Sequence, residues 1–295
     1  MSIERLRILG QKWSLALRVV PVILLVGALK YIYHQLGLEI LEVSPFMSGL
    51  IGANIFLLGF LVSSVLIDYK ESEKLPGELA ASLMSIFDEV SSIYKLKRTP
   101  IIRRCLDYTL ALSVSLKNWF YKIEHTDPLM DKLAELNDHL ADLRSETDDG
   151  GAIGRIKAEQ SSIRRNIIRA RTIRGTFFSP SGYAIAEAMN IVVILGLLLT
   201  QIDNFFASVF FVGFITFVNT YMLLLIKELD NPFDYYTDKH GTDEVSLMPL
   251  DEVIRRGKLF IDLVDAKMPA RETPVPLPLG NVDAPASSVN PSVQL

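Results

Sequence analysis

The side chains that could do covalent chemistry are few and scattered. His34, His125, His139 and His240 lie far apart in the sequence, and each reads as a surface or interfacial histidine. Cys105 is the only cysteine, which excludes an intramolecular disulfide framework and a cysteine-cluster metal site. The chain carries no glycine-rich phosphate loop, no Gly-x-Ser-x-Gly elbow and no His-Glu-x-x-His pair. It therefore nominates no catalytic residue, no cofactor and no metal ligand, and reads as something other than an enzyme. A net charge of -4 also argues against a nucleic-acid partner, which needs a basic field on the surface. What remains to be read is the apolar share of the chain, 49% of its residues.

One apolar stretch is Pro45 to Leu75, which is free of charge until Asp68. At ~1.5 Å per residue, Phe46 to Ile67 covers roughly 33 Å, enough to cross a hydrocarbon core of ~30 Å. Its composition is not that of a plain lipid anchor: Gly49, Gly52 and Gly59 cost helix propensity, Asn54 is polar, and Ser48, Ser63 and Ser64 add hydroxyls. On a helical wheel Gly49, Gly52, Phe56, Phe60, Ser63 and Ile67 form one stripe, with Ile51, Ile55, Leu58, Leu61 and Val65 elsewhere. Two readings stand. Either the small residues let another helix approach and the phenylalanines fill a core, or the stripe lines a pore, where a symmetric oligomer would make rings of Phe56 and Phe60.

Fixed charge is offered by Ile153 to Arg174, where Arg155, Lys157, Arg164, Arg165, Arg169, Arg171 and Arg174 face a single acid, Glu159. Such a helix either presents a solvated face to anionic headgroups or lines a vestibule that concentrates anions. The direction of the arginines is not decided by spacing.

Around these stretches the chain supplies further spans. Trp13 to Leu36 reads as an uncleaved first span with Arg18 and Lys30 snorkelling from its ends, since no small-x-small cleavage site follows. The connection Gly37 to Ser44 carries Glu39 and Glu42 but no lysine or arginine, so the positive-inside rule places it outside and the N-terminus in the cytoplasm. Tyr183 to Leu199 and Phe205 to Ile226 form a hairpin about the turn Gln201 to Asn204. Four spans return both termini to the cytoplasm. Glu187 and Asn190 are expected at shallow depth near the cytoplasmic interface. Phe205, Phe206, Phe210, Phe211, Phe214 and Phe217 are expected to serve packing.

Between the second and third spans, helical patterns over Ile101 to Ile123 and Met130 to Leu143 predict a helical bundle beneath the membrane, with breaks at Thr99-Pro100 and near Asp127-Pro128. Cys105 falls in the first of these as a buried thiol. Glu146 to Gly151 reads as a surface loop. The fourth span stops at Asn231-Pro232-Phe233, because proline cannot continue the hydrogen-bond ladder. Leu250 to Val264 forms a short amphipathic helix, and Met268 to Leu295 reads as a disordered tail.

Two of these segments resemble the bestrophin family of anion channels. Phe56, Gly59 and Phe60 match its Phe-x-x-Gly-Phe core in the second transmembrane helix, followed by a loose Glu-x-Leu-Pro-like turn at Glu73 to Pro76. Asn231-Pro232-Phe233 matches its Asn-Pro-Phe after the last span. The resemblance covers roughly residues 10 to 260. It implies a homo-pentamer passing chloride-like anions, with the second helix lining the pore, Phe56 and Phe60 as the neck, and Ser48 and Gly49 offering helix-end donors to anions. Calcium-gated animal members follow the motif with a dense acidic cluster. Here Asp234, Asp238, Asp243 and Glu244 are too scattered for a hard-cation site, so calcium gating is not expected.

The expected fold is all-α: a four-span helical membrane protein with a cytoplasmic helical bundle. Residues 1–66 hold the first two spans, 67–182 the cytoplasmic helices, 183–228 the hairpin, 229–266 a post-membrane segment and 267–295 the tail. Expected partners are inorganic anions, the lipid bilayer and copies of the same chain, in a cell membrane, best a bacterial inner membrane. The rival reading is a non-conducting membrane scaffold whose cytoplasmic helices bind a partner.

Overall fold

The computed structural model describes residues 3–147, 149–175, 180–235 and 244–266, with the side chains of 3–12 and 265–266 outside that description. The expected tail at 267–295, His240, Asp238 and Asp243 all lie outside the described residues. Four helices are long and apolar enough to cross a membrane. They belong to α1 (Ile3–Gln35), α2 (Pro45–Ser72), α7 (Pro180–Leu199) and α8 (Phe205–Leu229). Helices α3 (Leu75–Leu96), α4 (Pro100–Phe120), α5 (Thr126–Glu146), α6 (Gly150–Gly175) and α9 (Met248–Ala266) form the bundle outside the membrane. The architecture is the all-α one expected.

Local sequence sets the helix ends. Ser44 caps α2, its Oγ accepting from the Met47 amide at 3.3 Å, with Pro45 in the first turn where it needs no donor. Thr99 and Pro100 start α4 in the same way, and the Asn204 side chain accepts from the Ala207 amide at 3.3 Å to start α8. The expected loop at Glu146 to Gly151 is shorter than predicted. Asp149 Oδ1 accepts from the Gly151 and Ala152 amides, so α6 begins at Gly150. At the end of α4, the Lys122 amide donates to Trp119 O and the Ile123 amide to Asn118 O, a Schellman closure that puts Lys122 at φ 55°. Glycine is the usual residue at that position; here a lysine takes it, within 3.7 Å of Asp234.

The membrane helices pack as a bundle in which α8 touches α1, α2 and α7. Gly196 of α7 admits the tip of Met47 from α2, since a Cβ there would meet Met47 Cε at 2.5 Å. The α1–α2 and α7–α8 connections meet in a short parallel bridge, β1 (Leu41–Glu42) with β2 (Thr200–Gln201), Leu41 opposite Thr200. Both loops are therefore on one side of the membrane, as an even number of spans requires.

Lys30 corrects an expectation. Instead of snorkelling it is fully buried. Its Nζ donates to the Leu197, Leu198 and Thr200 carbonyls that end α7, and lies 2.6 Å from Glu39. Carbonyls at a helix C-terminus are a natural partner for a cation. His34, stacked against Phe205, adds a 2.9 Å contact to the same carboxylate. Burial raises the Glu39 carboxyl, and the Lys30 and His34 contacts outweigh it, leaving it below the usual carboxylate range. Arg18, about three turns N-terminal to Lys30 on α1, pairs with Glu228 of α8.

The extramembrane core is built from one apolar face each of α3, α5, α6 and α9 around α4, which is buried on several sides. Leu112, Val114 and Leu116 of α4 are all buried. Cys105 is buried here, and burial pushes its thiol up to about 12. Phe233 fastens the post-membrane segment into this core, wholly buried and 5.3 Å from the Phe120 ring. Asn231-Pro232-Phe233 thus acts as an anchor as well as a stop.

Replacing Lys30 with Met is expected to lower stability by about 3 to 5 kcal/mol, because Glu39 and three carbonyls lose their partner in a dry site; thermal melting in detergent measures it. Since the Glu39 value is lowered on folding, its share of stability is present above the ordinary carboxylate range and is lost as pH falls through the folded value. The melting temperature of the wild type should therefore fall in acid more steeply than that of Glu39→Gln.

Candidate functional site: the outward faces of α2 and α6

The stripe singled out on α2 is left uncovered by the described residues. Phe56 is 77% exposed and Phe60 63%, and Gly49, Gly52, Ser63 and Ile67 are exposed with them. A Cβ built on Gly49, Gly52 or Gly59 would meet nothing within 4 Å. The small residues therefore do not serve helix packing within the chain. The opposite face of α2, with Met47, Asn54, Leu58, Leu61 and Val65, is the one that packs on α7 and α8.

Two of the polar roles expected along the stripe are altered. Ser48 and Gly49 do not present helix-end donors: α2 starts at Pro45, and the Ser48 amide donates to Ser44 O at 3.2 Å. The Ser48 hydroxyl also turns back to Ser44 O, and that of Ser63 donates to Gly59 O at 2.9 Å. Each hydroxyl keeps its oxygen lone pairs outward but spends its proton on its own helix. The stripe is consequently more apolar than its composition suggests.

At its inner end the stripe reaches Glu71, eleven residues and about three turns past Phe60, hence on nearly the same side of α2. Glu71 accepts two hydrogen bonds from the Arg169 guanidinium, one of them from Nε at 2.6 Å. This fork ties α6 to the inner end of α2. The arginines of α6 then divide. Arg155 is held by Glu89 through bonds of 2.6 and 3.0 Å, Arg169 by Glu71, and Arg174 lies 4.8 Å from the Trp119 ring and donates to Trp119 O. Arg164, Arg165 and Arg171 are exposed and have no acidic partner among the described residues. With Lys157 they surround the exposed Ile168 on the face of α6 opposite its buried Ile156, Ile163 and Ile167. Arg171 also lines a cleft of about 350 Å³ with Lys122, His125 and Arg174.

Several expectations shift. The aromatic residues of α8 divide: Phe205 packs on Tyr31 and His34 and Phe217 on Tyr221, whereas Phe206, Phe210, Phe211 and Phe214 are exposed, with Phe210 stacked on Phe214. Glu187 stays near the inner end of α7, 2.7 Å from Lys227 Nζ, but Asn190 is buried deep between helices, because α7 starts at Pro180 and carries it a full ten residues inward. Among the described residues no group of three or more His, Cys, Asp or Glu could hold a metal ion.

No family model matches the chain, and no curated protein matches it in sequence. Solved structures do. A crystal structure of a bacterial bestrophin homologue from Klebsiella pneumoniae superposes with a TM-score of 0.70 at 17% identity, covering 83% of this chain and 99% of that one. A second variant of that homologue gives 0.68 at 19% identity over the same shares. A structure described as a membrane protein gives 0.68 at 17% identity, over 83% of this chain and 98% of that one. The chain has the fold of the bacterial bestrophin homologues.

If the fork between α2 and α6 is independent of other contacts, a double-mutant cycle on Glu71→Gln and Arg169→Met should return a coupling of no more than ~1 kcal/mol, the range of a solvent-accessible pair. Chemical denaturation of the extramembrane bundle reads it; a coupling near zero would mean the alignment of α6 rests on apolar contacts alone.

Proposed function

We propose that this chain assembles with copies of itself into an anion channel of a cell membrane, with α2 lining the pore and Phe56 and Phe60 forming its neck. The observation that carries the reading is the uncharged stripe of α2, covered by none of the described residues, with α6 and its exposed arginines tied to the foot of the same helix by the Glu71–Arg169 fork. Likeness to the bestrophin homologues supports a pentamer. A bacterial inner membrane suits it, with both termini cytoplasmic.

In such an assembly the phenylalanine rings meet around an axis and narrow it to a width at which water drains readily. Ring edges carry partial positive charge, so a dehydrating anion meets a weakly favourable lining where a cation would not. Below the neck, Arg164, Arg165 and Arg171 raise the local concentration of anions through an unscreened field. Arg169 contributes little to it, since Glu71 neutralises it. The positive end of α2 at Pro45 lies at the outer entrance, where the helix dipole again favours anions.

Purified protein in a planar bilayer under a chloride gradient tests the reading. The reversal potential should lie near the chloride value. Phe56→Ala and Phe60→Ala should each raise unitary conductance or open probability several-fold, and the pair Arg164→Gln, Arg165→Gln should move the reversal toward zero. Reversal at the cation value would keep a pore and overturn its selectivity; unchanged currents in both phenylalanine variants would overturn the neck. A chain that is monomeric in detergent cannot close a pore with one such helix, and would return the argument to the scaffold.

A further inference from the structure

On the packed side of α2, away from the stripe, the membrane bundle has a polar level at mid-depth. Asn54 of α2, Asn190 of α7, and Thr216 and Asn219 of α8 are all more than nine-tenths buried. Their register is fixed by their neighbours. One turn inward, Leu58, Ala186 and Leu223 join one apolar cluster. One turn outward, Leu50, Val193 and Val212 belong to another. The three asparagines and the threonine thus share one layer between two dry ones, about 13 Å from the start of α2 at ~1.5 Å per residue.

Among the described residues, both polar atoms of Asn54 and of Asn219, Oδ1 of Asn190 and Oγ1 of Thr216 have no hydrogen-bond partner. Leaving such groups unpaired in an apolar medium costs several kcal/mol apiece, by an order-of-magnitude reckoning. A leucine or valine at each position would pack at no such cost. Carboxamides offer two donors and one acceptor each, converging from three helices, which matches a water molecule's need for two to four partners.

We propose that this layer is an internal binding site for ordered water, bridging α2 to α7 and α8 behind the neck. Water-mediated bonds can be exchanged for one another at small cost, whereas interdigitated apolar side chains resist sliding. The hydrated layer is therefore the joint on which α2 shifts when the neck changes width. This second statement rests on the pore reading; the first does not. Asn54 precedes Phe56 by two residues and so points about 160° away from it, which keeps the site separate from the ion path.

The test is X-ray radiolytic labelling of the intact protein in nanodiscs prepared in H2-18O, with oxygen incorporation mapped by mass spectrometry. Leu58 and Val193, buried beside the layer, should label well above Val65 and Leu198, which are equally buried two or more turns away. Labelling in Asn54→Leu and Asn219→Leu should fall to the level of those controls; Asn54→Ala serves if either leucine variant fails to assemble. Equal labelling at all four positions in the wild type would overturn the site and mean that the amides pair directly. In bilayers, Asn54→Leu should change open probability while leaving unitary conductance unmoved. Loss of label with unaltered gating would overturn the joint, while a labelled but electrically silent wild type would overturn the pore reading and leave the water site in place.

Discussion

Hydrocarbon offers no hydrogen bonds, and the arrangement of this chain follows from that. Every residue at membrane depth lies in a helix that satisfies its own backbone. Charged groups collect at the ends of the spans, and where one is drawn inside, it is surrounded. Lys30 is the clearest instance: three carbonyls at the end of α7 and the Glu39 carboxylate replace its water shell. In doing so one side chain ties α1, the first outer connection and the α7–α8 hairpin together. The short bridge between β1 and β2 sits beside that junction and has its two strands positioned by it.

The same constraint gives α2 two faces with different consequences. Its packed face meets α7 and α8 through leucine and valine, interrupted by one amide layer. Its outward face has no charge over some twenty residues and none of the described residues against it. Apolar surface of that extent has to be covered by lipid, by other copies or by a narrow pore. The Glu71–Arg169 fork ties α6, which carries further exposed arginines, to the foot of the same helix. The exposed phenylalanines of α8 lie on a separate helix and require a cover of their own.

Polar groups inside the bundle are where packing alone fails to account for the residues present. Asn54, Asn190 and Asn219 are each flanked by well-buried aliphatic side chains, so the layer is not a consequence of poor packing around it. They lie on the far side of α2 from Phe56, so the helix carries an uncharged exposed stripe on one side and a buried polar layer on the other. The extramembrane bundle is different in kind. There α4 is buried on several sides and Phe233 is locked against Phe120, a dense core suited to holding α6 still.

The sequence by itself determined the four spans, the bundle between them, the helix starts at Ser44-Pro45 and Thr99-Pro100, and the stripe on α2, because hydropathy, proline and period are local properties of the chain. It was enough to suggest the family from Phe56, Gly59, Phe60 and Asn231-Pro232-Phe233. Only the tertiary structure decided which arginines are neutralised, since the acids that hold Arg155 and Arg169 lie 66 and 98 residues away. It also decided that Lys30 is buried, that Asn190 lies deep, and that Ser48 spends its donors on Ser44. Partner choice across such distances depends on how helices are packed, and periodicity says which face a residue is on without saying what that face meets.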